Sequence, residues 1–389
     1  MTSPPPPELT SPEAASSLRT RLTGLGYSER GLAERLGRNA LGLPRLFDHR
    51  WRERSPTTSA LDPLIGLLLM GEETELSELA GLLEPDHIRA LEEMRLIEVR
   101  GPWAQSHLNL FPCRGLLVAT DNALPNPSLN KVSCLFPDSY VLANIVDRAP
   151  VDQALDLCTG SGIYALRAAS HARAVVGVDI SERAIAFSRF NAGFNDIRNV
   201  DFQVGDLYAP VAGSTFDLII ANAPFNPEPE TPAGLEAPSG SQAAALFSGG
   251  RSGEELLSRV IAGLDRHLSP GGVCHLVTLL VHPTQGPDYR ERVSQWLEGR
   301  LSDFDVLIWA IPWNHFERYK GDEAKTAFLK EHFERFEFGT ISIRRRRAKE
   351  PIYYHGPPPQ TAYPLFDEDG EIKLRIDDQA FAAYQPSAP

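Results

Sequence analysis

The sequence predicts an α/β fold, with a doubly wound, mainly parallel sheet preceded by a smaller, mainly helical domain. The sheet is predicted because apolar strands alternate with helices from Val151 onward, which is the element order of doubly wound folds. A second observation is that four of these strands run directly into glycine, aspartate or asparagine turns. The smaller domain is predicted to be helical because apolar residues recur at helical spacing over much of residues 11–121.

The turns at the ends of these four strands predict a binding site. The first strand breaks into the glycine loop Asp156–Gly162, the second ends at Asp179 and the third runs into Asp206. The fourth strand leads into Asn222–Phe225. In an open α/β sheet the carboxyl ends of the strands form the crevice where ligands bind. We therefore expect three acids, a glycine loop and an asparagine turn to lie together.

The charge of the glycine loop favours one cofactor over another. Gly160, Gly162 and Ala165 fit the pattern G-x-G-x-x-A, so a nicotinamide or flavin dinucleotide has to be considered. A dinucleotide carries a pyrophosphate, and Asp156 would repel that anion by on the order of several kcal/mol at the effective dielectric near a surface. S-adenosylmethionine instead carries a sulfonium and an ammonium. Acids on both sides of the loop therefore favour S-adenosylmethionine.

Four motifs in this order resemble the class I S-adenosylmethionine-dependent methyltransferases, over roughly Lys131 to Arg347. Asn222–Phe225 is similar to the (Asn/Asp)-Pro-Pro-(Phe/Tyr) motif of the HemK-like and "methyltransferase small" group, and Phe247–Gly253 and Leu268–Gly272 add to the likeness. The resemblance implies a seven-stranded, Rossmann-like sheet with an antiparallel pair at its edge. It also implies N-methylation of an amide or amine in a small molecule, a peptide or a base.

The resemblance assigns roles to individual residues. Asp179 is expected to hold both ribose hydroxyls, and Asp206 to lie near the adenine amino group. The expected cofactor-binding residues are Asp156, Cys158, Thr159, Gly160, Gly162, Asp179, Ile180, Asp206, Leu207 and Asn222. The expected catalytic residues are Asn222, Ala223, Pro224, Phe225, Tyr164 and Tyr140. The segment before the first motif closes over the cofactor in such families, which makes Phe136 and Asp138 candidates as well.

The chemistry of methyl transfer suits the asparagine motif. Asn222 can accept a hydrogen bond from an N–H group through its side-chain carbonyl, and Ala223 can offer its backbone carbonyl. The ring of Phe225 can stack on a planar amide or base. These acceptors would align the nitrogen lone pair for an in-line displacement without a strong base.

Two departures from the family pattern keep alternatives open. Ala223 stands where proline is usual, and Tyr164 is large for its position. One alternative is a cyclase that converts S-adenosylmethionine to azetidine-2-carboxylate and methylthioadenosine in natural-product biosynthesis. Another is a nucleic-acid-binding module with a vestigial methyltransferase domain, whose binding would weaken steeply with salt. A dinucleotide oxidoreductase is a further alternative that the charge argument disfavours.

The amino-terminal domain is predicted to resemble a winged helix. Helices predicted over Leu61–Met70, Glu75–Leu83 and Pro85–Met94 precede two strands, Leu96–Val99 and Leu108–Leu110. The helix in the recognition position carries as many acids as bases, whereas a helix that reads duplex DNA is normally more basic. We therefore expect a lid or a substrate-selecting domain.

These observations divide the chain into five predicted regions. They are a disordered tail (1–10), a helical, winged-helix-like domain (11–121), a linker and cofactor-covering segment (122–150), an S-adenosylmethionine-binding domain (151–348) and a carboxy-terminal extension without an assigned role (349–389). Within them, Asn226–Ala243 is predicted to be a substrate-facing loop. Arg344–Arg347 is predicted to guard the edge of the sheet.

Composition excludes several function classes. The formal net charge of −13 argues against a protein that coats nucleic acid through its overall field. No apolar run approaches the roughly 18 residues of a membrane helix, and the start of the chain lacks the features of a signal peptide, so we expect a cytoplasmic protein with no membrane partner. The four cysteines have no C-x-x-C spacing, which predicts reduced thiols and no metal site. A small-molecule or peptide acceptor is expected, nucleic acid is less favoured, and the oligomeric state is not predicted.

Overall fold

The computed structural model describes residues 4–38, 45–46, 50–54, 58–122, 131–146, 149–228, 248–312, 322–346, 351–357 and 380–381. Parts of several predicted features lie outside the described residues. These are residues 1–3 of the predicted tail, most of the loop Asn226–Ala243, most of the linker 122–130, the end residues Phe247 and Arg347 of two motifs, and most of the carboxy-terminal extension 349–389.

The amino-terminal part combines short helices with two small sheets. Its elements are α1 (Pro12–Gly24), α2 (Glu29–Leu36), α3 (Trp51–Arg54), α4 (Asp62–Leu64) continuing into a π-helix (Ile65–Leu69), β1 (Thr74–Glu75), α5 (Leu76–Ala80), α6 (Pro85–Glu93), β2 (Glu98–Arg100), β3 (Trp103–Gln105), β4 (Leu108–Cys113) and β5 (Leu116–Asp121). Strands β1, β3 and β2 form one sheet in that order, with α5 and α6 between β1 and β2 along the chain. Two helices followed by a two-stranded ribbon is the order on which the winged-helix-like prediction rests, and that domain assignment stays a prediction.

One predicted strand pairing in this part is wrong. Leu108–Leu110 does not pair with the strand that follows α6, because these residues belong to β4, which pairs with β5 as a separate antiparallel hairpin. The return strand of the wing is β3, whose Ala104 pairs with Val99 of β2. Six consecutive buried residues in β4 explain the difference, since a wing strand has one exposed face.

The remaining residues form the large sheet and its covering helices. The elements are α7 (Pro137–Ile145), β6 (Val151–Leu157), α8 (Ile163–Ala168), β7 (Ala172–Asp179), α9 (Glu182–Phe194), β8 (Val200–Val204), β9 (Phe216–Ala221), α10 (Glu255–His267), β10 (Leu268–Pro283), α11 (Tyr289–Trp296), β11 (Phe304–Pro312), α12 (Glu323–His332), β12 (Phe333–Arg345) and β13 (Tyr353–Gly356). Among the described helices, none combines the length and the apolar character needed to cross a membrane.

The large sheet confirms the predicted α/β class. Its strand order is β13-β11-β12-β10-β9-β6-β7-β8. Strands β8, β7, β6, β9 and β10 are parallel, and β12 runs antiparallel to both β10 and β11. These are the seven expected strands with the expected antiparallel pair. An eighth strand, β13, comes from the region that had no assigned role and pairs in parallel with β11.

The first residues of the chain are packed against the rest of the molecule. Residues 1–10 are predicted to be disordered, yet the carbonyl of Pro4 accepts a hydrogen bond of 2.7 Å from Arg183. Leu9 packs on Gly193 of α9 so closely that an added Cβ at this glycine would lie 2.6 Å from Leu9 Cδ2. Consecutive prolines prevent regular structure, but they do not prevent docking against a helix.

The amino-terminal part and the large sheet share one interface around α9. The buried side chain of Asn191 accepts a hydrogen bond from the amide of Ala119 in β5 and donates to the carbonyls of Ala119 and Ser161, with distances of 2.8 to 2.9 Å. Arg183 and Asp121 form a buried bidentate ion pair across the same interface. One continuous apolar core extends through both parts. A shared core argues against a hinged lid, and the substrate-selecting role stays a prediction.

Candidate active site

The glycine loop turns sharply after β6 and leaves an open face. Gly160 and Gly162 have φ angles of +54° and +84°, values that favour glycine. At Gly162 an added Cβ would lie 3.1 Å from the Cβ of Ser188, so the loop is pressed onto α9 on that side. At Gly160 the nearest atom to an added Cβ is the carbonyl oxygen of Cys158, 3.9 Å away. A ligand can therefore approach the backbone at Gly160.

Asp156 supports this loop from beneath. Its carboxylate is fully buried and accepts hydrogen bonds from the hydroxyl of Thr159 at 2.6 Å and from the amide of Ala165 at 3.0 Å. Burial raises its pKa to about 7. Asp156 thus supports the loop from beneath and does not line its open face, and its assignment to the cofactor site stays a prediction. Thr159 is also buried, and its hydroxyl supports the loop by donating to Asp156.

Asp179 lies at the end of β7, beside the open face of the loop. Its Oδ2 accepts from the amide of Gly160 at 2.9 Å, and its Oδ1 accepts from the amide of Ser181 at 2.9 Å. Burial raises its pKa above the ordinary value for a carboxyl group. The next side chain, Ile180, is 74% exposed although it is large and apolar. A carboxylate beside a bare apolar side chain fits a ribose attached to an adenine ring.

Three other predicted cofactor residues surround this position. Asp206 is half exposed and pairs with Arg259, whose guanidinium lies 2.6 Å from Oδ2. Leu207 is buried and has a φ of +48°, which turns the chain after β8. Burial raises the pKa of the Cys158 thiol, so this side chain is neutral. The Asp206 carboxylate can bind a ligand only if it shares its charge with Arg259 or gives up that ion pair.

Asn222 is held in one orientation by two partners. Its side-chain nitrogen donates to Oδ2 of Asp138 at 3.0 Å and to the hydroxyl of Tyr164 at 2.8 Å. A carboxylate only accepts hydrogen bonds, so the amide nitrogen must face Asp138 and the carbonyl oxygen must face away. Within the described residues, no group donates to that oxygen. The site therefore presents a fixed hydrogen-bond acceptor at the end of β9.

The structure separates the two predicted catalytic tyrosines. Tyr164, on α8, is buried, and its hydroxyl contacts Asn222; desolvation by burial, and then the Asp138 carboxylate, raise its pKa well above the usual value. Tyr140, on α7, is also buried, but its hydroxyl donates to the carbonyl of Pro112 in β4 at 3.0 Å. Tyr140 therefore ties α7 to the hairpin, and its assignment as a catalytic residue stays a prediction.

The turn after Asn222 is backed by a glycine-rich segment. Ala223 is buried, whereas Pro224 and Phe225 are partly exposed. Gly249 and Gly253 lie so close to this turn that an added Cβ would be 2.8 Å from Cα of Phe225 and 2.6 Å from its carbonyl oxygen, respectively. The glycines noted in the sequence are thus required by the close approach of two backbone segments.

Sequence reasoning missed two polar residues that hold the loop from α9. Ser188 Oγ donates to the carbonyl of Gly160 at 2.8 Å, and Asn191 donates to that of Ser161. Ser188 lies within the face of α9 that reads as apolar. The sequence does carry a signal for these two residues. Ser188 and Asn191 are small polar residues three positions apart, so they are neighbours on a helix face that is otherwise buried and apolar.

Comparison with known proteins agrees with this geometry. A family model described as a methyltransferase domain matches residues 150–297. The chain contains a methyltransferase domain. A ribosomal protein uL3 glutamine methyltransferase of Bradyrhizobium diazoefficiens is 35% identical over 131 residues, which are 32% of this chain and 41% of the relative. A release factor glutamine methyltransferase of Thermodesulfovibrio yellowstonii is 32% identical over 133 residues, which are 31% of this chain and 44% of the relative. The similarity thus spans less than half the length of either relative.

The likeness to solved structures is weaker. The crystal structure of a ribosomal protein L11 methylase from Lactobacillus delbrueckii subsp. bulgaricus superposes with 22% identity and a TM-score of 0.31. The superposition covers 51% of this chain and 71% of that chain. We draw no inference from a superposition with so low a score.

Proposed function

We propose that this protein transfers a methyl group from S-adenosylmethionine to the side-chain amide nitrogen of glutamine in a peptide or protein. Relatives of the methyltransferase domain are named glutamine methyltransferases, with a ribosomal protein or a release factor as the substrate. The observation that carries the proposal is the fixed orientation of Asn222, whose carbonyl oxygen is held ready to accept an N–H group. None of the four described cysteines forms a disulfide, which supports the expected cytoplasmic location.

The residues at the ends of β6, β7 and β8 fit this cofactor. The open backbone at Gly160 leaves room for a ligand, Asp179 offers a carboxylate to the ribose, and Ile180 offers an apolar surface to the adenine. Asp206 adds a second carboxylate. With Asp156 buried, the preference for a cationic cofactor rests on these two acids. When bound, S-adenosylmethionine supplies a methyl carbon that is activated by a sulfonium.

The remaining residues orient the acceptor. An amide nitrogen is a weak nucleophile because its lone pair is delocalised into the carbonyl group. A hydrogen bond from one of its N–H bonds to Asn222 Oδ1, together with one to the backbone carbonyl of Ala223, would fix the nitrogen and raise its electron density. Phe225 can stack on the planar amide. The new N–C bond would form as the S–C bond to the methyl group breaks, S-adenosylhomocysteine would leave, and the proton lost from the nitrogen would pass to solvent. The residues thus act by alignment, and no strong base is required.

The test combines an acceptor peptide with two variants. The full chain is incubated with S-adenosylmethionine and a peptide that contains one glutamine, or a matched peptide with alanine in its place. We expect S-adenosylhomocysteine and a methylated glutamine only with the first peptide, both measured by mass spectrometry. Asn222→Ala should lower kcat on the order of 100-fold, as for the loss of one positioned transition-state hydrogen bond, and leave cofactor affinity unchanged.

The control variant is Asn199→Ala. Asn199 bonds to the backbone carbonyls of Ala169 and Ala172, before the amino end of β8, so its loss should not change turnover. Normal turnover by Asn222→Ala would contradict the assigned role. Methylthioadenosine formed without any peptide would indicate the cyclase instead. Binding of duplex DNA that weakens steeply with salt, without product, would indicate the nucleic-acid-binding module.

A further inference from the structure

Three potential metal ligands meet on three strands of the large sheet. His282 lies near the end of β10, Glu337 lies on β12 and His355 lies on β13. Oε2 of Glu337 is 2.6 Å from Nε2 of His282 and 3.3 Å from Nε2 of His355. The ligand atoms all lie within 4.8 Å of one another. The two imidazole rings are stacked with their centroids 5.9 Å apart.

We propose that His282, Glu337 and His355 bind a zinc ion. Two imidazoles and a carboxylate are a donor set that zinc prefers, with bond lengths of about 2.0 to 2.2 Å. Tetrahedral ligands at those lengths lie roughly 3.3 to 3.6 Å apart. The separation between His355 and Glu337 is already within that range. The separation between His282 and Glu337 would have to lengthen by less than about 1 Å.

The charges around the site are compatible with a cation. A metal ion would take the place of the proton that Nε2 of His282 and Oε2 of Glu337 share across their 2.6 Å contact. Two arginines lie nearby. Arg335 is paired with His282 across β10 and β12 and is exposed to solvent, whereas the buried Arg292 has its own counter-ion, because its Nε lies 3.1 Å from the carboxylate of Glu254. The charge of Glu337 is therefore available to a cation.

A buried hydroxyl beside the site provides a second, independent observation. Tyr289 packs edge-on to His355 with ring centroids 5.4 Å apart. Its hydroxyl is buried and has no hydrogen-bond partner among the residues that the structure describes. Such orphaned groups are uncommon in native proteins. A water molecule in the fourth position of the zinc ion would be a suitable partner.

The position of the site would let the ion join three strands of the sheet. Each ligand comes from a different strand, and His355 lies on the four-residue edge strand β13. An ion at this point would fasten the carboxy-terminal strand to the centre of the sheet. The three side chains are partly exposed, so an ion can enter from solvent. No spacing motif reveals the site in the sequence, and the proposal reverses the expectation that no metal is bound.

The experiment measures zinc binding by the full chain. The protein is stripped with a chelator and titrated with zinc in competition with a coloured indicator. We expect one zinc ion per chain and a higher thermal midpoint when it is bound. His355→Ala and Glu337→Gln should each weaken zinc binding by at least about tenfold. His107→Ala is the matched control, because His107 pairs with Glu98 at 3.3 Å in the wing without a third ligand.

Two results would overturn the proposal. One is a wild-type chain that takes up no zinc at micromolar concentration in native mass spectrometry. This measurement does not depend on whether any variant folds. The other is a His355→Ala variant that binds zinc as tightly as the wild type. Cobalt provides a further check, since a tetrahedral site should give intense visible absorption bands. These outcomes are independent of the proposed methyl transfer, because no ligand of the ion belongs to the active site.

Discussion

Replacing Asp179 with asparagine tests the cofactor site without any knowledge of the acceptor. The two carboxylate oxygens accept from the amides of Gly160 and Ser181. An asparagine keeps the shape but has only one acceptor oxygen, so its NH₂ group would face one of these two N–H donors. The variant therefore loses a backbone hydrogen bond, the negative charge and part of its ability to hold the ribose.

The expected loss follows from the strength of hydrogen bonds to charged groups. Each such bond contributes about 1.5 to 3 kcal/mol. The loss of one bond to a ribose hydroxyl would therefore raise the Kd for S-adenosylmethionine about 10- to 150-fold. The loss of bonds to both ribose hydroxyls would raise the Kd further. The same change should weaken the binding of S-adenosylhomocysteine to a similar extent, since the ribose is common to both.

Isothermal titration calorimetry with the cofactor alone measures this effect. Asp201→Asn is the control, because Asp201 is an exposed carboxylate on β8 that contacts Gln203 and not the loop. This variant should bind the cofactor like the wild type. A Kd for Asp179→Asn within twofold of the wild-type value would refute the reasoning, and so would equal losses in both variants.

Two further predictions concern the tyrosines and the buried acid. Tyr164→Phe removes one of the two hydrogen bonds that orient Asn222, worth about 0.5 to 1.5 kcal/mol, so kcat should fall about 2- to 10-fold at unchanged cofactor affinity. Tyr140→Phe should leave kcat unchanged and lower the free energy of unfolding by about 1 kcal/mol, measured in urea. Asp156 has a pKa of about 7 in the folded chain against an ordinary 3.8, so its contribution to stability is complete below about pH 4 and is lost as the pH rises through 7. That difference corresponds to roughly 4 kcal/mol, so Asp156→Asn should gain stability relative to the wild type from pH 5 to pH 8 in urea titrations.

Specific outcomes would contradict these two predictions. A larger fall in kcat for Tyr140→Phe than for Tyr164→Phe would reverse the assignment of the tyrosines. A stability difference between Asp156→Asn and the wild type that is the same at pH 5 and pH 8 would mean that this carboxyl does not titrate near 7. Other buried acids do not affect that comparison, because they are present in both proteins.

The sequence was sufficient for the class of the sheet and for the turns at the ends of its strands. The near-continuous apolar run of β9 and the acid at the end of β7 are local patterns, and local patterns identify strands and their ends. The direction in which a side chain points does not follow from such local patterns. Asp156 and Asp179 both precede turns, yet Asp156 points beneath the loop and Asp179 lies beside its open face.

Contacts between residues that are far apart along the chain could not be predicted from the sequence either. Asp138 and Asn222 are 84 positions apart, and the family pattern makes both candidates without indicating that one orients the other. The same limit applies to β13, a strand of four residues that is recognisable only through its pairing with β11. The partner of Tyr140 was not predictable either, because a buried tyrosine near a motif looks the same in sequence whether its hydroxyl faces a ligand or a distant carbonyl.

The side-chain amide of Asn191 joins two segments that are far apart along the chain. It bonds on one side to Ala119 in the hairpin and on the other to Ser161 in the glycine loop. A displacement of the hairpin would therefore act on this side chain and, through it, on the glycine loop.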